Sequence, residues 1–120
     1  MSDFKKLNSF EDRCSQSKHI RDKYPNRIPI IVVRSPHHAA NIPEITRQKY
    51  LVPSDLSFAQ FMHVIRTRIK LPAEVGLYLF VADTVMVPAS SAMSVVDSEH
   101  RDADGFLYVT LCGESTFGGM

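Results

Sequence analysis

Short runs of aliphatic and aromatic residues predict strands in the first half of the chain. Arg27 to Val33 is one such run, and Pro29 must lie near the start of that strand or face an unpaired side, because it lacks an amide donor. Lys49 to Val52 is a short second strand that ends at Pro53. An antiparallel hairpin with the first strand is the economical pairing for it.

Three further runs predict strands in the second half. Leu77 to Val81 indicates a buried strand, and Val85 to Val87 a short one. After the turn signal Asp104-Gly105, the residues from Phe106 to Leu111 are aromatic, aliphatic or β-branched, which favours a strand buried on both faces. Cys112-Gly113 is expected to end it.

Between the hairpin and the later strands, the pattern changes to a helical period. Ser57 to Gln60 has the Ser-x-x-Gln form of a capping box, and Leu71-Pro72 ends the helix. Its apolar residues recur at the spacing of one helix face, at Phe58, Phe61, Met62, Ile65 and Ile69.

Three shorter or more polar helices complete the pattern. Ser2 can cap a first helix that carries Phe4 and Leu7, and Ser90 or Ser91 can cap a late one through Met93 and Val96. Ser9 can cap a helix from about Phe10 to Lys23, which ends at Tyr24-Pro25-Asn26. The apolar stripe of that helix is thin, so it should lie on the outside of a larger body; it comprises Phe10, Cys14, Ile20 and Tyr24.

The order of these elements predicts an α+β fold of the ubiquitin-like β-grasp type with two additional N-terminal helices. A hairpin, one long helix across the sheet and a late strand inserted beside the first define that arrangement. With 120 residues, the chain has room for one domain with one core. Its composition, 44% hydrophobic and 22% charged, excludes a wholly disordered chain.

Charge changes this picture only near the N-terminus. The net charge is +1, which gives no argument for a nucleic-acid partner. Residues 1–34 carry eight Lys or Arg against four Asp or Glu, so the helical part presents a mildly basic face. Such a face can steer acidic partners or lipid head groups toward the chain, and a solvated helix surface explains it equally well.

Neither the histidines nor the cysteines suggest a catalytic or metal site. His19, His37, His38, His63 and His100 show no ligand spacing, and a solvated pair is expected for the two that are adjacent. Cys14 and Cys112 lie far apart and form no C-x-x-C pair, which indicates two unpaired thiols in a reducing cytosol. A nucleophilic role for Cys112 would need a base to which no residue pattern points, so a small buried thiol is predicted.

Segments along nearly the whole chain resemble one family, the autophagy ubiquitin-like modifiers that include light-chain-three and the GABA-receptor-associated proteins. The loop at His37-His38 is the part that does not match. The matching segments are Asn26-Arg27-Ile28-Pro29, Ile42-Pro43-Glu44-Ile45, Lys49 to Pro53, Phe61, Val64-Ile65-Arg66, Arg68-Ile69, Leu71-Pro72, Glu99-His100, Asp104 to Thr110, Gly113-Glu114 and Thr116-Phe117-Gly118.

The resemblance implies a conjugated modifier rather than an enzyme. Residues 1–25 would be the helical extension, 26–118 the β-grasp domain, and 119–120 the part removed by a cysteine protease. Activating and conjugating enzymes would then join the new carboxylate to phosphatidylethanolamine, with no catalytic residue, metal or cofactor in this chain. It would be cytoplasmic, and on the autophagosome membrane when lipidated.

The tail leaves two registers and a second hypothesis open. Gly118 follows Phe117 as the family's terminal glycine does, whereas Gly119 is a departure that allows cleavage one residue later. The same resemblance fits a ubiquitin-like peptide-binding module that is never processed or attached to lipid. The two hypotheses share the peptide site and differ at Gly118.

By resemblance, the second strand also borders a groove for cargo receptors and adaptors that carry an aromatic-x-x-aliphatic motif. An uncharged amide at Gln16 departs from the acid that relatives commonly carry beside the aromatic pocket. The aromatic pocket would comprise Gln16, Ile20, Pro29, Ile31, Lys49, Leu51 and Phe106. The aliphatic pocket would comprise Tyr50, Val52, Pro53, Leu56, Phe61, Val64 and Ile65, and the basic rim Arg27, Lys49 and Arg68.

Overall fold

A mixed sheet forms the centre of the structure, a computed structural model that describes residues 3–36, 42–45 and 47–113. Its strands are β1 (Arg27–Arg34), β2 (Lys49–Pro53), β3 (Leu77–Val81) and β4 (Leu107–Gly113), in the order β2-β1-β4-β3. β1 pairs antiparallel with β2 and parallel with β4, which pairs antiparallel with β3. The predicted hairpin and the late strand beside the first are therefore confirmed.

Pro29 lies where a strand can tolerate a residue without an amide donor. Val32 donates its amide to the Gln48 carbonyl, so alternate residues of β1 direct their amides to β2 and those between them to β4. The nitrogen of Pro29 faces the β4 side, where pairing begins only at Ile30 with Leu107. The ladder loses no hydrogen bond there.

Four helices surround the sheet among the described residues: α1 (Asp3–Leu7), α2 (Phe10–Lys23), α3 (Phe58–Arg68) and α4 (Met93–His100). The predicted N-caps of α2 and α3, Ser9 and Ser57, both form. Ser9 Oγ accepts from the Asp12 amide, and Ser57 with Gln60 makes the full reciprocal capping box.

The larger hydrophobic core lies between the sheet and α3. Phe58, Phe61 and Ile65 of α3 are buried against alternate residues of the strands, and Met93 and Val96 of α4 close one side of the same cluster. The strand residues of this cluster are Ile28, Ile30, Val32, Tyr50, Val52, Leu77, Leu79, Val81, Leu107, Val109 and Leu111.

A smaller cluster lies on the opposite face of the sheet, under α1 and α2. Phe4 of α1 meets Phe106 edge-on at 5.3 Å between ring centroids, and Ile31 and Tyr108 complete the buried group. β4 and the residue before it therefore contribute to both faces, as the pattern predicts. The strand itself continues through Cys112 and Gly113, where the sequence interpretation had ended it, because both residues pair with β3.

Several sequence predictions about the ends and faces of elements are wrong. Phe10, predicted to lie on the apolar stripe of α2, is 50% exposed. Val85 makes a single bridge to Val81 where a short strand was expected, and Met86 beside it is exposed. Neither Ser90 nor Ser91 caps α4. Its N-cap is Ala92, whose side chain cannot form a capping hydrogen bond.

Some predictions fall on residues outside the described ranges: the Ser2 cap, the His37-His38 loop, and the tail with Gly118 and Gly119. Within the described part of the chain, no helix is both long and apolar enough to cross a membrane.

Candidate functional site

The candidate site is built around β2, which is an edge strand. β2 pairs with β1 on one side, and no other described strand pairs with its second side. Successive side chains of a strand point to opposite faces, so Tyr50 and Val52 join the α3 core while Lys49 and Leu51 lie on the α2 face. An extended peptide could add to that side of β2, with alternate side chains directed to the two faces of the sheet.

On the α2 face, side chains from three elements and the residue before β4 surround a cavity of about 130 Å³. Five predicted members of the aromatic pocket line it: Ile20, Pro29, Lys49, Leu51 and Phe106. Arg47, Ile30 and Tyr50 line it as well. Ile31 lies behind the pocket with no exposed surface, packed in the cluster of Phe4 and Phe106.

Gln16 stands beside the pocket mouth and contacts its rim through Lys49. The Lys49 ammonium donates to Gln16 Oε1 at 3.0 Å and lies 5.1 Å from the centre of the Phe4 ring. Gln16 Nε2 in turn donates to Asn8 Oδ1 at 3.3 Å. The predicted neighbourhood of Gln16 and Lys49 is present, and it includes α1, which sequence reasoning did not connect to the site.

On the α3 face, some residues predicted for the aliphatic pocket are buried and others reach the surface. Phe61 and Ile65 have no exposed surface, and Tyr50 and Val52 are nearly buried, with the Tyr50 and Phe61 rings perpendicular at 6.4 Å. The outer members are Leu56 and Val64, which are partly buried, and Pro53, which is exposed. A ligand side chain would meet these outer residues first.

Arg27, Lys49 and Arg68, predicted as a basic rim, are all exposed. Burial raises the pKa of Tyr50, and the positive charges of Arg68 and Arg47 partly oppose that rise. The phenol therefore stays neutral and can donate a hydrogen bond near two cations. This charge distribution suits a peptide with acidic residues around its motif.

Sequence reasoning assigned neither Ile30 nor Arg47 to this pocket, and of the two Arg47 adds polar contacts. Its Nε donates to the Lys49 carbonyl at 3.2 Å, and its guanidinium lies 5.9 Å from the centre of the Tyr50 ring. The alternation of a strand could have found it, since Arg47, Lys49 and Leu51 are spaced two residues apart and share one side.

The position of Ile20 in the pocket depends on polar contacts that hold α2 against the sheet. The buried Asp104 carboxylate accepts from Arg13 Nε at 2.9 Å, from the Phe106 amide at 2.8 Å and from the Tyr108 hydroxyl. Burial and this carboxylate raise the pKa of Tyr108 far above its ordinary value, so its hydroxyl remains a donor. Ser17 Oγ donates to the Asp104 carbonyl and adds a second anchor.

A second anchor group joins α2 to α4. Both Arg21 guanidinium nitrogens donate to the buried Asp97 carboxylate, at 2.9 and 2.8 Å, and Arg21 also donates to the Gly105 carbonyl. Burial acts to raise the pKa of Asp97, but the hydrogen bonds from Arg21 and Arg101 outweigh it and hold that pKa below its usual value. Asp97 is therefore a carboxylate at neutral pH.

Among the described residues, no group of three or more His, Cys, Asp or Glu is arranged to hold a metal ion. Cys14 and Cys112 are both free thiols and both half-buried, so Cys112 is less enclosed than predicted.

Comparison with known proteins gives one consistent result. A family model described as "Autophagy protein Atg8 ubiquitin like" matches residues 12–118. Autophagy-related protein 8a of Arabidopsis thaliana is 48% identical over 119 residues, covering 99% of this chain and 95% of the relative. Autophagy-related protein 8 of Vanderwaltozyma polyspora is 50% identical over 119 residues, covering 99% and 98%. The crystal structure of Trypanosoma brucei ATG8 superposes with a TM-score of 0.87 at 38% identity, covering 95% of this chain and 96% of that one.

Proposed function

Because this chain belongs to the Atg8 family of ubiquitin-like autophagy proteins, we propose that it is a modifier conjugated through its C-terminal glycine to phosphatidylethanolamine. Attached to the autophagosome membrane, it recruits cargo receptors and adaptors through aromatic-x-x-aliphatic motifs. Residues 1–25 act as the helical extension, 26–118 as the β-grasp domain, and 119–120 are removed. The enzymes of the pathway, a processing cysteine protease with activating and conjugating enzymes, act on the chain as their substrate.

The observation that carries the peptide-binding half of this proposal is the unpaired side of β2 with apolar surfaces on both faces. A peptide strand added there would place alternate side chains near the Ile20–Phe106 pocket and near Leu56 and Val64. Two buried apolar side chains contribute roughly 1.5–3 kcal/mol each, and the cost of association offsets much of that. Single contacts are therefore weak, and several anchored copies hold cargo together.

Leu51→Ala tests this site. Leu51 lines the pocket and is only partly buried, so its truncation should weaken binding of an aromatic-x-x-aliphatic peptide about tenfold without unfolding the chain. Tyr50→Ala is a poorer test, because the Tyr50 ring packs on Phe61 in the core. Leu7→Ala is the matched control, since Leu7 is 82% exposed.

Calorimetric titration measures the affinity of one such peptide for the wild type, Leu51→Ala and Leu7→Ala. Loss with Leu51→Ala and full binding with Leu7→Ala supports the groove. Equal affinity of all three proteins, or no binding to the wild type, would remove the peptide-binding half of the proposal.

The lipid-anchoring half concerns Gly118, which lies outside the described residues. Its support is the Thr116-Phe117-Gly118 sequence, which follows β4 along the chain and resembles the family's pattern, together with the family match, which ends at residue 118. A glycine carboxylate can enter a narrow enzyme channel because glycine has no Cβ. Each buried lipid methylene contributes about 0.8 kcal/mol, and two acyl chains anchor where one is marginal.

Paired substitutions at Gly118 and Gly119 test the register. Gly118→Ala should block both cleavage and lipid attachment, whereas Gly119→Ala should have a milder effect because it lies on the leaving side. Mass spectrometry of the membrane fraction measures the product directly. A product one glycine heavier would move the site to Gly119, and full-length protein without a lipid adduct would leave only an unprocessed peptide-binding module.

A further inference from the structure

We propose that α1 positions the Lys49 ammonium at the mouth of the aromatic pocket through Asn8 and Gln16, and that this sets the preference of the pocket for a peptide carboxylate beside the aromatic residue. The inference rests on the proposed peptide-binding function. It assigns a positioning role to Asn8, a residue that does not line the pocket.

A continuous line of hydrogen bonds connects α1 to Lys49. Asn8 Nδ2 donates to the Phe4 carbonyl at 3.0 Å, and Gln16 Nε2 donates to Asn8 Oδ1 at 3.3 Å. Lys49 Nζ then donates to Gln16 Oε1 at 3.0 Å. Three bonds thus link the backbone of α1 to the tip of a pocket-lining side chain of β2.

The groups at the two ends of this line, the Phe4 carbonyl and the Lys49 ammonium, determine which atom donates in each hydrogen bond. An ammonium can only donate, so Gln16 must turn its oxygen to Lys49 and its NH2 group to Asn8. Asn8 must then present its oxygen to Gln16 and its own NH2 group to the Phe4 carbonyl. Removal of the Asn8 amide frees Gln16 to rotate and to present donor hydrogens to Lys49, which would repel it.

Phe4 fixes the ammonium from a second direction. The Lys49 Nζ atom lies 5.1 Å from the centre of the Phe4 ring, a cation–π distance. The same ring packs edge-on against Phe106, which lines the pocket. α1 therefore contributes the ring beside the ammonium, and Asn8, the residue that follows α1, contributes the amide that orients its acceptor.

The partner of Lys49 in this line is neutral, which leaves its charge available to a ligand. Among the described residues no carboxylate pairs with Lys49, whose side chain is exposed at the rim. An ammonium has three donor hydrogens, and Gln16 takes one. A ligand carboxylate can take another from a group that is already in place, so less side-chain entropy is lost on binding.

The experiment measures a ratio of affinities for two matched peptides. Both carry the same aromatic-x-x-aliphatic motif, preceded directly by Glu in one and by Gln in the other. At low ionic strength we expect wild type to prefer the Glu peptide about threefold, a typical effect of an exposed ion pair. Asn8→Ala should lower this ratio to about 1.5, and Lys49→Met to about one. A purely structural role of Asn8 would weaken both peptides alike and leave the ratio unchanged.

Two further variants locate the effect. Ser15→Ala, a neutral change on the exposed side of α2, should keep the wild-type ratio. Gln16→Glu pairs Lys49 with a carboxylate and needs no amide from Asn8 to orient it, so the ratio should fall to about one and Asn8→Ala should lower it no further.

The outcomes separate this inference from the function on which it rests. If wild type binds the peptides and Asn8→Ala shows the same Glu-to-Gln affinity ratio as Ser15→Ala, the positioning role is wrong. The peptide-binding groove would still be supported. An added effect of Asn8→Ala in the Gln16→Glu background would also overturn it. If wild type binds neither peptide, the groove and the inference fall together.

Discussion

The two faces of the sheet are held by different kinds of interaction. On the α3 face, Phe61 and Ile65 lie without exposed surface in a cluster of aliphatic and aromatic side chains from every strand. On the α2 face, the buried apolar group is small, and the residues that α2 turns toward the sheet include Arg13, Ser17 and Arg21. Ion pairs from α2 to Asp104 and Asp97 hold that helix in place.

The two faces therefore contribute differently: the α3 face mainly to the stability of the fold, and the α2 face to the placement of α2. Apolar burial is non-directional and scales with area, so the α3 face supplies most of the driving force for folding. A bidentate ion pair accepts one geometry, so the α2 face fixes how α2 lies on the sheet. The ion pairs of α2 therefore set the position of Ile20 and Gln16 at the pocket.

The largest expected effect comes from a cavity on the α3 face. Phe61→Ala removes a ring with no exposed surface and should lower the free energy of unfolding by about 4 kcal/mol. Urea unfolding followed by circular dichroism measures it, with Val95→Ala on the exposed side of α4 as control. A loss below about 1 kcal/mol would mean that this face is not the main core.

A smaller and more local effect is expected from the buried carboxylate of the α2 face. In Asp104→Asn an NH2 group must face Arg13, Tyr108 or the Phe106 amide, all of which are donors, at a cost of roughly 3 kcal/mol. Hydrogen exchange should show faster opening of α1 and α2 than of β1 and β4. Asp22→Asn deletes the carboxylate of an exposed pair and should change little. Equal acceleration in all elements would contradict the separation of the two faces.

Gly105→Ala should weaken the same contact through the backbone. Gly105 has φ +93°, and a Cβ there would lie 2.3 Å from Ser17 Oγ, so we expect a loss of about 2 kcal/mol. Adding Ser17→Ala removes the colliding oxygen and should restore part of the loss seen in thermal unfolding. No recovery in the double variant would assign the whole effect to backbone strain.

Acid should produce the smallest and most gradual effect, again on the α2 face. Burial acts to raise the pKa of Asp102, but hydrogen bonds from Lys5 and from the Asp104 amide outweigh it, and Asp97 is held low in the same way. Because both pKa values are lower in the folded state, their contribution is complete above the unfolded pKa, about 4, and is lost as the pH falls below it.

A pH series of hydrogen exchange should therefore show α2 opening below about pH 4 before the α3 face does. Asp97→Asn combined with Asp102→Asn should flatten this pH dependence. An unchanged profile in that variant would place the acid sensitivity elsewhere.

The same contrast explains what the sequence could predict. Phe58, Phe61 and Ile65 repeat at helical spacing and face the core, and the alternation in β2 places Tyr50 and Leu51 on opposite faces. The family resemblance brought Ile20, Lys49 and Phe106 together at one pocket, as the structure does. For the β1–β2 pair and α3, where apolar burial decides the structure, periodicity was a sufficient guide.

The α2 face could not be predicted in this way because its inward residues are polar. A helix with Arg13, Ser17 and Arg21 facing the sheet has no apolar stripe, and the search for one selected Phe10, which is half exposed. The partners of those side chains lie more than 70 positions away, and no local pattern encodes such a pairing. The contact of Asn8 with Gln16 spans only eight positions, and it escaped notice because neither polar side chain belongs to an apolar pattern.

The parallel pairing of β1 and β4 has a mechanical consequence for the proposed link between cargo and membrane. β4 starts beside Ile30, next to the pocket, and ends at Gly113, about 20 Å further along the strand, where the tail continues. If, as proposed, cargo binds β2 and a lipid is attached to the tail, a force that pulls them apart along the strand axis would load the ladders between β2, β1 and β4 in shear. The hydrogen bonds of each ladder then share the load and must rupture together, so the β-grasp sheet resists tension in the direction in which a tether is pulled.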